Sequence, residues 1–336
     1  MRGAKTWYYY DAGGKPRREI PLGSDYVAAV QKWAELEHGH REHAMREAIT
    51  FPLAAQRYIA EVIPTKGSNT QDDNMRELKN LLEFFGNPPA PLDSIEPVHI
   101  TMYLDWRIRK TKAWNVSRGK PDAPDGRVRA NREKALFSDM WNSFRSWGYT
   151  AMPNPCAGVS GFKEVGRDIY VDDAAYSAVY QVAAQPLRDT MDLLWLTGQR
   201  PGDVLKFTET DIKDGALGVR QNKTKMKVRI QIEGLLHDVL ARIEARKRTY
   251  KVRSLKLLVD DEGHALTYSQ LRRMFDEARA ASGQTWQMRD LRAKAGTEAD
   301  DQDGEAAAQR LLAHTTPQMT RRYIRNRLGK LAKPPR

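Results

Sequence analysis

The amino-acid sequence predicts an α+β protein in which α-helices predominate. Apolar residues recur at helical spacing along most of the 336 residues, whereas strand-like alternation is confined to residues 5–22 and 216–232. Proline and glycine without periodicity near residue 160 mark a linker. We therefore expect three domains: residues 1–45 with a small β-hairpin and a helix, residues 50–155 with helices alone, and residues 165–336 with helices and a small sheet.

The composition favours a polyanionic partner. There are 55 Lys and Arg against 43 Asp and Glu, the formal net charge is +12, and no acidic residue follows Glu305. A basic protein with evenly scattered charges is the alternative, which clustering of the charges would exclude. The single cysteine, Cys156, excludes an internal disulfide and a cysteine-rich metal site, which suits a reducing compartment. Since we find no membrane-spanning stretch and no signal peptide, we expect a cytoplasmic protein.

The first 45 residues predict a hairpin and one helix. An aromatic run at residues 7–10, a turn at Gly13 and Gly14 and a basic segment at residues 15–22 fit two strands. Ser24 would cap a helix reaching about residue 38, with these apolar residues at helical spacing: Val27, Val30, Trp33 and Leu36. A basic strand flanked by aromatic residues suits a DNA groove, and a structural appendage is the alternative.

Residues 50–155 predict four helices and a basic stripe. Glycine and proline separate helical segments near residues 52–62, 71–85, 97–113 and 128–147. Nine Lys or Arg stand against three Asp between Asp105 and Arg132. Two adjacent helix ends would present these cations to a phosphate backbone, and a solvated charged face is the alternative. The DNA-binding candidates are Arg107, Arg109, Lys110, Lys112, Arg127, Arg129 and Arg132.

A corner after a buried helix carries two candidate site residues. The apolar residues 187–196 predict a buried helix that stops at Gly198. Pro201 then begins another helix and fixes Arg200 at its N-terminal edge, where a guanidinium adds to the positive end of the helix dipole. Asp203, one turn further, would hold the local network in place.

A short hairpin follows this corner. Residues 216–221 and 226–232 predict two strands because apolar and polar residues alternate in the second. Lys223 and Lys225 lie in the turn between them. A lysine at such a tip is ordinarily only solvated, so the turn alone predicts no function.

A pair of arginines follows the next helix, which we predict at residues 267–282. Arg289 and Arg292 are three residues apart on one helical face. This spacing fits a basic surface patch and a phosphate clamp equally well.

A lone tyrosine near the C-terminus is the last candidate. Residues 306–312 predict a helix, and Thr316 followed by Pro317 predicts the start of another. On one continuous helix His314 and Tyr323 would lie on opposite faces, and the break lets them converge. The alternative is that Tyr323 is an interfacial aromatic residue of an amphipathic helix.

Four motifs, in this order, resemble the tyrosine recombinases of the phage integrase family. They are T-G-Q-R-P-G-D-V-L at residues 197–205, a lysine hairpin at 222–227, R-D-L-R at 289–292, and L-L-A-H at 311–314 with a tyrosine nine residues beyond its histidine. The end of the helical domain also resembles that family at residues 131–133 and 147–155. The resemblance implies an arm-type DNA-binding domain, a helical SAM-like core-binding domain and a catalytic domain with a C-terminal tail.

The resemblance implies that Tyr323 is a nucleophile. This residue would attack a DNA phosphodiester and form a covalent 3′-phosphotyrosyl link. A phenol titrates near pH 10, so it needs a base or a strongly positive neighbourhood to lose its proton. Arg200 and Arg292 would bind the two non-bridging oxygens of the phosphate and stabilise the charge of the transition state.

The remaining family positions are supporting groups. Lys223 matches the lysine that protonates the leaving 5′ oxygen, and Lys225 is the alternative if the register shifts. Asp203 matches an acidic residue that supports the site, and His314 matches a histidine that hydrogen-bonds the phosphate. The resemblance implies no metal ion or ATP, because the phosphotyrosine conserves the bond energy for religation.

One position departs from the family. Arg289 stands where a histidine usually precedes D-L-R, and an arginine cannot act as a base near neutral pH. We expect it to be an extra phosphate donor, with Tyr323 losing its proton to solvent, to His314 or directly in the transition state. Ala313 also replaces a frequent glycine, which is a small change.

The resemblance also implies partners and leaves rival functions open. The substrate would be double-stranded DNA at attachment sites, recombined during integration or excision of a mobile element in the cytoplasm of a bacterial host. A homotetramer would assemble on DNA from free monomers, with accessory DNA-bending proteins. A DNA-binding protein that has lost catalysis and a monomeric nicking enzyme resembling type IB topoisomerases are the alternatives. Leu328 and Leu331 fit either a tail that docks on a neighbouring copy or a frayed end.

Overall fold

The fold is α+β and mainly helical, as the sequence predicts. The structure is a computed structural model that describes residues 6–13, 16–47, 49–164 and 166–325, with the side chains of all but residues 38–47. The predicted tail contacts of Leu328 and Leu331, and part of the predicted turn at Gly13 and Gly14, lie outside these residues. The chain divides into two compact units, Met1–Val165 and Gly166–Arg336. The division into three domains stays a prediction.

The first unit begins with the predicted hairpin and helix. Strands β1 (Tyr8–Asp11) and β2 (Glu19–Gly23) pair in antiparallel fashion, and helix α1 spans Tyr26–Glu47. The predicted cap at Ser24 is wrong, because Oδ1 of Asp25 accepts from the backbone N–H of Ala28 at 3.0 Å. The helix also continues past residue 38.

The apolar spacing of α1 does not mark its buried face. Val27, Val30 and Trp33 are exposed by 66%, 44% and 48%, whereas Ala29 is buried. A two-stranded sheet is too narrow to cover the wider apolar face of a helix. Hydrogen bonding contributes to the packing instead, since the hydroxyl of Tyr10 donates to a carboxylate oxygen of Glu37 at 3.0 Å.

The four predicted helices of the first unit are confirmed. Their bounds are Phe51–Glu61 for α2, Ser68–Phe85 for α3, Pro97–Ser117 for α4 and Arg127–Ser146 for α5. Aromatic rings fill the core between them, with Phe51 and Phe137 stacked at a centroid distance of 5.2 Å. Trp141 and Phe144 are fully buried beside them.

The second unit begins with three helices, the middle one buried, and a small sheet. Helices α6 (Asp173–Val182), α7 (Gln185–Thr197) and α8 (Pro201–Val204) lead into an antiparallel sheet of order β3-β4-β5, with bounds Ile212–Lys213, Ala216–Arg220 and Lys227–Gln231. The last two strands form the predicted hairpin, and β3 is a two-residue addition that the sequence pattern does not indicate. Leu187, Met191 and Leu194 are fully buried, as the apolar run in α7 predicts.

Helices complete the second unit. They are α9 (Gly234–Arg248), α10 (Tyr268–Ala281), α11 (Leu291–Asp303), α12 (Glu305–Leu312) and α13 (Pro317–Arg321). Asp189 of α7 is fully buried and accepts from Nε of Arg242 at 3.0 Å and from Nε of Arg246 at 3.1 Å, both on α9. These bonds anchor α7, whose C-terminal end leads to Arg200. No helix in the described ranges is long and apolar enough to span a bilayer.

Candidate active site

Arg200 lies at a tight corner after α7. Gly198 ends that helix with φ of 62°, and a Cβ at this position would lie 3.0 Å from a leucine side chain of α12. Both the conformation and the close approach favour glycine. Pro201 begins α8, as predicted, with Arg200 as the residue before it. Nη1 of Arg200 donates to Oε1 of Gln221 at 3.3 Å and lies 3.8 Å from Oδ2 of Asp203.

Arg292 is buried at the first turn of α11 and joins two other parts of the site. Its Nη1 donates to the carbonyl of Gly198 at 2.6 Å, and its Nη2 donates to the carbonyl of Leu312 at 2.7 Å. Nη2 also lies 2.9 Å from Nε2 of His314. Nε is buried without a partner among the described residues, and so remains an unused donor.

Burial and a neighbouring cation weaken the protonated state of Arg292. Removal from water, followed in importance by the charge of Arg200, lowers the pKa of Arg292 to about 10. The charge of Arg200 disfavours that of Arg292, and the two guanidinium groups make the site electropositive. Such a site gains most from an anion placed between them.

His314 is held as a neutral ring of one tautomer. A guanidinium can only donate, so Nε2 of His314 accepts from Arg292 and the proton lies on Nδ1. Nδ1 is 3.1 Å from Oγ1 of Thr320, to which it donates. Burial, with the charges of Arg292 and Arg200, lowers the pKa of His314 to about 4.

Tyr323 converges on His314 as the helix break predicts. Helix α12 ends at Ala313 with φ of 50°, and Pro317 begins α13. The rings of Tyr323 and His314 then lie 5.1 Å apart between centroids. The guanidinium carbon of Arg292 is 5.2 Å from the tyrosine ring centroid. The partly exposed phenol thus lies beside a buried cation.

The lysine turn is fixed at its base and free at its tip. Oδ1 of Asp203 accepts from the backbone N–H of Asn222 at 2.8 Å, and the Asn222 amide donates to the Gly202 carbonyl at 3.1 Å. Lys223 follows directly, exposed and without a hydrogen bond or ion pair in the described ranges. Lys225 has a φ of 59° and is also exposed. Asp203 therefore supports the turn that presents Lys223.

Arg289 and Arg292 do not share a helical face, which corrects the prediction from their spacing. Arg289 lies in a 3-10 turn, Met288–Asp290, that precedes α11, and its side chain is exposed whereas that of Arg292 is buried. The neighbouring Asp290 is the buried side chain of this turn, where Nε of Arg167 donates to both its carboxylate oxygens at 2.9 Å. Arg289, the residue before it, points to the surface instead. The side chain of Arg289 makes no hydrogen bond or ion pair within the described part of the chain.

Metal ligands are not gathered at this site. The described residues contain no group of three or more His, Cys, Asp or Glu side chains arranged to hold a metal ion. Asp203 is engaged by Asn222 instead. The expectation of a metal-independent reaction rests on the chemistry of the arginines and stays a prediction.

Comparisons with known proteins identify the family of this site. Residues 171–329 match the phage integrase family model. The integrases of Enterobacteria phage 434 and Escherichia phage lambda are each 26% identical to this chain over 340 residues, covering 94% of this chain and 90% of each relative. Residues 171–329, which contain this site, belong to the phage integrase family. Together with relatives that match over most of its length, this makes the chain a tyrosine recombinase of the site-specific class.

The fold of this recombinase agrees with that assignment. A chain in a lambda integrase dimer bound to a COC′ core site superimposes with a TM-score of 0.71 at 22% identity, over 98% of this chain and 95% of that chain. A lambda integrase tetramer bound to a Holliday junction gives a TM-score of 0.68 at 22% identity, over 93% and 94%.

Sequence reasoning missed two buried glutamines of the recombinase. Gln199 and Gln221 are fully buried and hydrogen-bonded to each other, Nε2 of Gln221 donating to Oε1 of Gln199 at 2.7 Å. Gln199 lies inside the first family motif, and Gln221 directly precedes the lysine hairpin. Neither stands out by hydropathy, and position beside a candidate residue is the one signal that could have found them.

The DNA-binding candidates of the recombinase divide into buried and exposed side chains. Arg107 is buried, and its Nε binds both carboxylate oxygens of Glu133 at 3.0 and 2.8 Å. The prediction that Arg107 belongs to an exposed basic stripe is wrong, because this buried ion pair connects α4 with α5. Lys110 pairs with Glu83.

Buried and exposed candidates together line one cavity of the first unit. A cavity of about 890 Å³ between α3, α4 and α5 is lined by five of the seven candidates: Arg107, Lys110, Arg127, Arg129 and Arg132. Arg109 and Lys112 are exposed but lie outside this lining. Arg127 pairs with Asp125 at 3.0 Å. Arg129 and Arg132 are therefore the exposed cations of this cavity that make no ion pair within the described residues.

Proposed function

We propose that this recombinase cleaves and rejoins double-stranded DNA at attachment sites through a covalent 3′-phosphotyrosyl intermediate on Tyr323. Integration or excision of a mobile element would be the result. The observation that carries the proposal is the convergence of Tyr323 on Arg292 and His314, at 5.2 Å and 5.1 Å from its ring centroid. A phenol beside a buried guanidinium is stabilised as it loses its proton.

Cleavage would proceed by direct displacement at phosphorus. The phenol oxygen of Tyr323 forms a bond to the phosphorus while the bond to the 5′ oxygen breaks, so the number of phosphodiester linkages is conserved. Arg200 and Arg292 would bind the non-bridging oxygens and stabilise the charge of the transition state. Nε of Arg292 is a buried donor without a partner among the described residues. The reverse attack by a 5′ hydroxyl restores the DNA backbone.

The leaving oxygen needs a proton, and we assign that role to Lys223. Its turn is supported by Asp203, and the lysine at the tip is exposed and would be available to a DNA strand bound at the two arginines. Lys225 is the alternative donor, since it lies in the same turn. Protonation of the 5′ oxygen prevents immediate reversal of the cleavage step.

His314 is better suited to orienting Arg292 than to acting as a base or phosphate donor. Its Nε2 accepts from Nη2 of Arg292 and carries no proton to donate to phosphate. The low pKa of His314, about 4, keeps the ring neutral near pH 7. The proton of Tyr323 would then leave to solvent or directly in the transition state.

The arginine at position 289 favours a second candidate function, that of a DNA-binding protein without catalysis. Arg289 stands at the family's histidine position, and its side chain is exposed. We assign it to an extra phosphate contact. The alternative is an integrase-fold DNA-binding protein that has lost catalysis, and Arg289→His separates the two. If the parent forms no adduct with DNA while the histidine variant does, the alternative is correct.

The assembly and location follow the same proposal. Lambda integrase has been solved as a dimer bound to a COC′ core site and as a tetramer bound to a Holliday junction. We infer a homotetramer on DNA for this chain, formed from free monomers and assisted by accessory DNA-bending proteins. Because relatives of this chain are phage integrases, we place it in the cytoplasm of a bacterial host.

Replacement of one hydroxyl tests the proposal. A nicked duplex, built on the sequence that the protein protects in the DNA flanking its gene, traps the covalent adduct because the cut strand cannot be rejoined. Tyr323→Phe should form no adduct while retaining DNA with the salt dependence of the parent. Tyr268→Phe, at an exposed tyrosine of α10, is the matched control and should form adduct like the parent. Adduct formation by Tyr323→Phe contradicts the proposal.

A further inference from the structure

Gln221 closes the base of the lysine turn with its backbone. Its N–H donates to the carbonyl of Met226 at 2.9 Å, and its carbonyl accepts from the N–H of Lys225 at 3.0 Å. The next residue, Asn222, is held by Asp203 from the other side. Lys223 comes two residues after Gln221, so these backbone bonds limit where the turn can place it.

The side-chain amide of Gln221 uses every hydrogen-bonding position that it has. Nε2 donates to the carbonyl of Leu312 at 3.0 Å and to Oε1 of Gln199 at 2.7 Å. Oε1 accepts from Oγ1 of Thr224 at 2.6 Å and from Nη1 of Arg200 at 3.3 Å. Two donors and two acceptors are the full capacity of an amide, so no freedom of orientation remains.

The partners also decide which way this amide faces. A guanidinium can only donate, so the oxygen of Gln221 must face Arg200. A carbonyl can only accept, so the nitrogen must face Leu312. If the amide were flipped, its NH2 group would face the donor of Arg200 and its oxygen would face the carbonyl of Leu312. Gln221 is fully buried, so water could not satisfy these groups, and the flipped orientation would be destabilised.

This single amide connects the candidate groups of the site. It contacts Arg200 directly, fixes the turn of Lys223 through Thr224, and binds the last carbonyl of α12, two residues before His314. Arg292 donates to the same carbonyl of Leu312.

We propose that Gln221 is a positioning residue for strand cleavage, which sets the guanidinium of Arg200 and the turn of Lys223 in one mutual geometry. This inference rests on the proposed cleavage function. A residue that acts in this way should matter more for the rate of cleavage than for DNA affinity, since it touches no DNA itself.

Gln199 supplies the matched control. It is equally buried, and its Nε2 donates to the carbonyls of Thr197 and Leu311, both at 2.9 Å. Among the described residues it hydrogen-bonds to no candidate catalytic side chain. Gln221→Met and Gln199→Met remove the same amide from the same network at nearly constant volume, so they separate a catalytic contribution from a structural one.

The test measures single-turnover adduct formation on the nicked duplex, the dissociation constant for that duplex and the thermal midpoint. We expect Gln221→Met to slow adduct formation about tenfold or more, with the dissociation constant changed less than about twofold. Gln199→Met should lower the thermal midpoint as much while slowing cleavage less. In an Arg200→Lys background the effect of Gln221→Met should shrink, because residues that act through one another are not additive.

Thr224 provides a milder variant that spares the core. Thr224→Val removes the hydroxyl that holds Oε1 of Gln221, and should slow adduct formation about threefold, whereas Thr224→Ser should match the parent. The inference is overturned if Gln221→Met and Thr224→Val cleave like the parent, or if Gln199→Met loses as much activity as Gln221→Met. A parent that forms no adduct overturns the proposed function and this inference with it.

Discussion

Nη2 of Arg292 donates to Nε2 of His314 over 2.9 Å, so a buried arginine determines the tautomer of its histidine neighbour. The proton on Nδ1 then reaches Thr320 on α13, the helix that precedes Tyr323. These two hydrogen bonds link Arg292, the arginine proposed to bind phosphate, to the segment that carries the proposed nucleophile.

This relationship predicts a pH-dependent contribution to stability. The pKa of His314 is about 4, below its ordinary value of 6.5, so the unfolded chain takes up a proton there before the folded chain does. The contribution is complete above pH 6.5 and is lost as the pH falls towards 4, by up to about 3 kcal/mol. His314→Gln keeps one acceptor and one donor without titrating.

Urea unfolding at pH 7 and at pH 4.5 measures this contribution. The parent should lose more free energy of unfolding than His314→Gln between these values. His237→Gln, at an exposed histidine, should behave like the parent. Equal losses by the parent and by His314→Gln would contradict the assignment of a neutral ring.

The same substitution should affect stability strongly at one arginine of the R-D-L-R motif and hardly at the other. Arg292→Lys loses the fork that reaches Gly198, Leu312 and His314, and should lower the free energy of unfolding by about 3 kcal/mol. Arg289→Lys should change it by less than about 0.5 kcal/mol, because Arg289 is exposed. Urea unfolding of both variants is the measurement. A similar loss in both would mean that the buried hydrogen bonds of Arg292 contribute little.

Thr297 should affect cleavage through the backbone around Tyr323. Its buried hydroxyl accepts from the N–H of Arg325 at 3.0 Å and donates to the carbonyl of Tyr323 at 3.4 Å. Thr297→Val should slow adduct formation about threefold to tenfold at unchanged DNA affinity, and Thr297→Ser should restore it. Thr249→Val is the control and should be neutral, because it removes only an exposed hydroxyl hydrogen bond at the residue that follows α9. An equal rate for Thr297→Val and the parent would show that the tyrosine segment is held by other contacts.

In the helical unit, exposed arginines should contribute to DNA binding and the buried arginine should contribute to stability. Arg129→Ala and Arg132→Ala should weaken DNA binding and reduce the slope of log affinity against log salt by about 1 each, without loss of stability. Arg107→Ala should lower the free energy of unfolding by about 3 kcal/mol, because it leaves Glu133 buried and unpaired. Fluorescence anisotropy over a salt series and urea unfolding measure the two effects.

A control on the same helix completes that comparison. Arg145→Ala, in the last turn of α5, should leave both the salt slope and the stability unchanged. If Arg145→Ala weakens binding as much as Arg129→Ala, the attraction is a general effect of net charge rather than of this cavity.

The features that the sequence predicts correctly are set by local chemistry. Gly198 and Pro201 dictate the corner at Arg200 through backbone conformation, and Thr316 with Pro317 breaks the helix between His314 and Tyr323. Neighbouring residues decide such features, so a short stretch of chain contains the necessary information.

Several features that the sequence predicts wrongly, or does not predict, depend on distant partners. Arg107 has the charge pattern of its exposed neighbours, and it is buried because Glu133, 26 residues away, receives it. Gln221 acquires its contacts from Arg200 and from the end of α12, neither of which hydropathy or periodicity connects to it. The same reason applies to α1, where the narrow hairpin decides which apolar side chains are covered.

The most direct test of the central claim is to identify the amino acid that carries the DNA. Trapped adduct from the nicked duplex can be digested with nuclease and protease and examined by peptide mass spectrometry. A nucleotide attached through a 3′ phosphate to the phenol oxygen of Tyr323 is the expected result. Attachment to any other residue, or no attachment from a parent protein that binds the duplex, would contradict it.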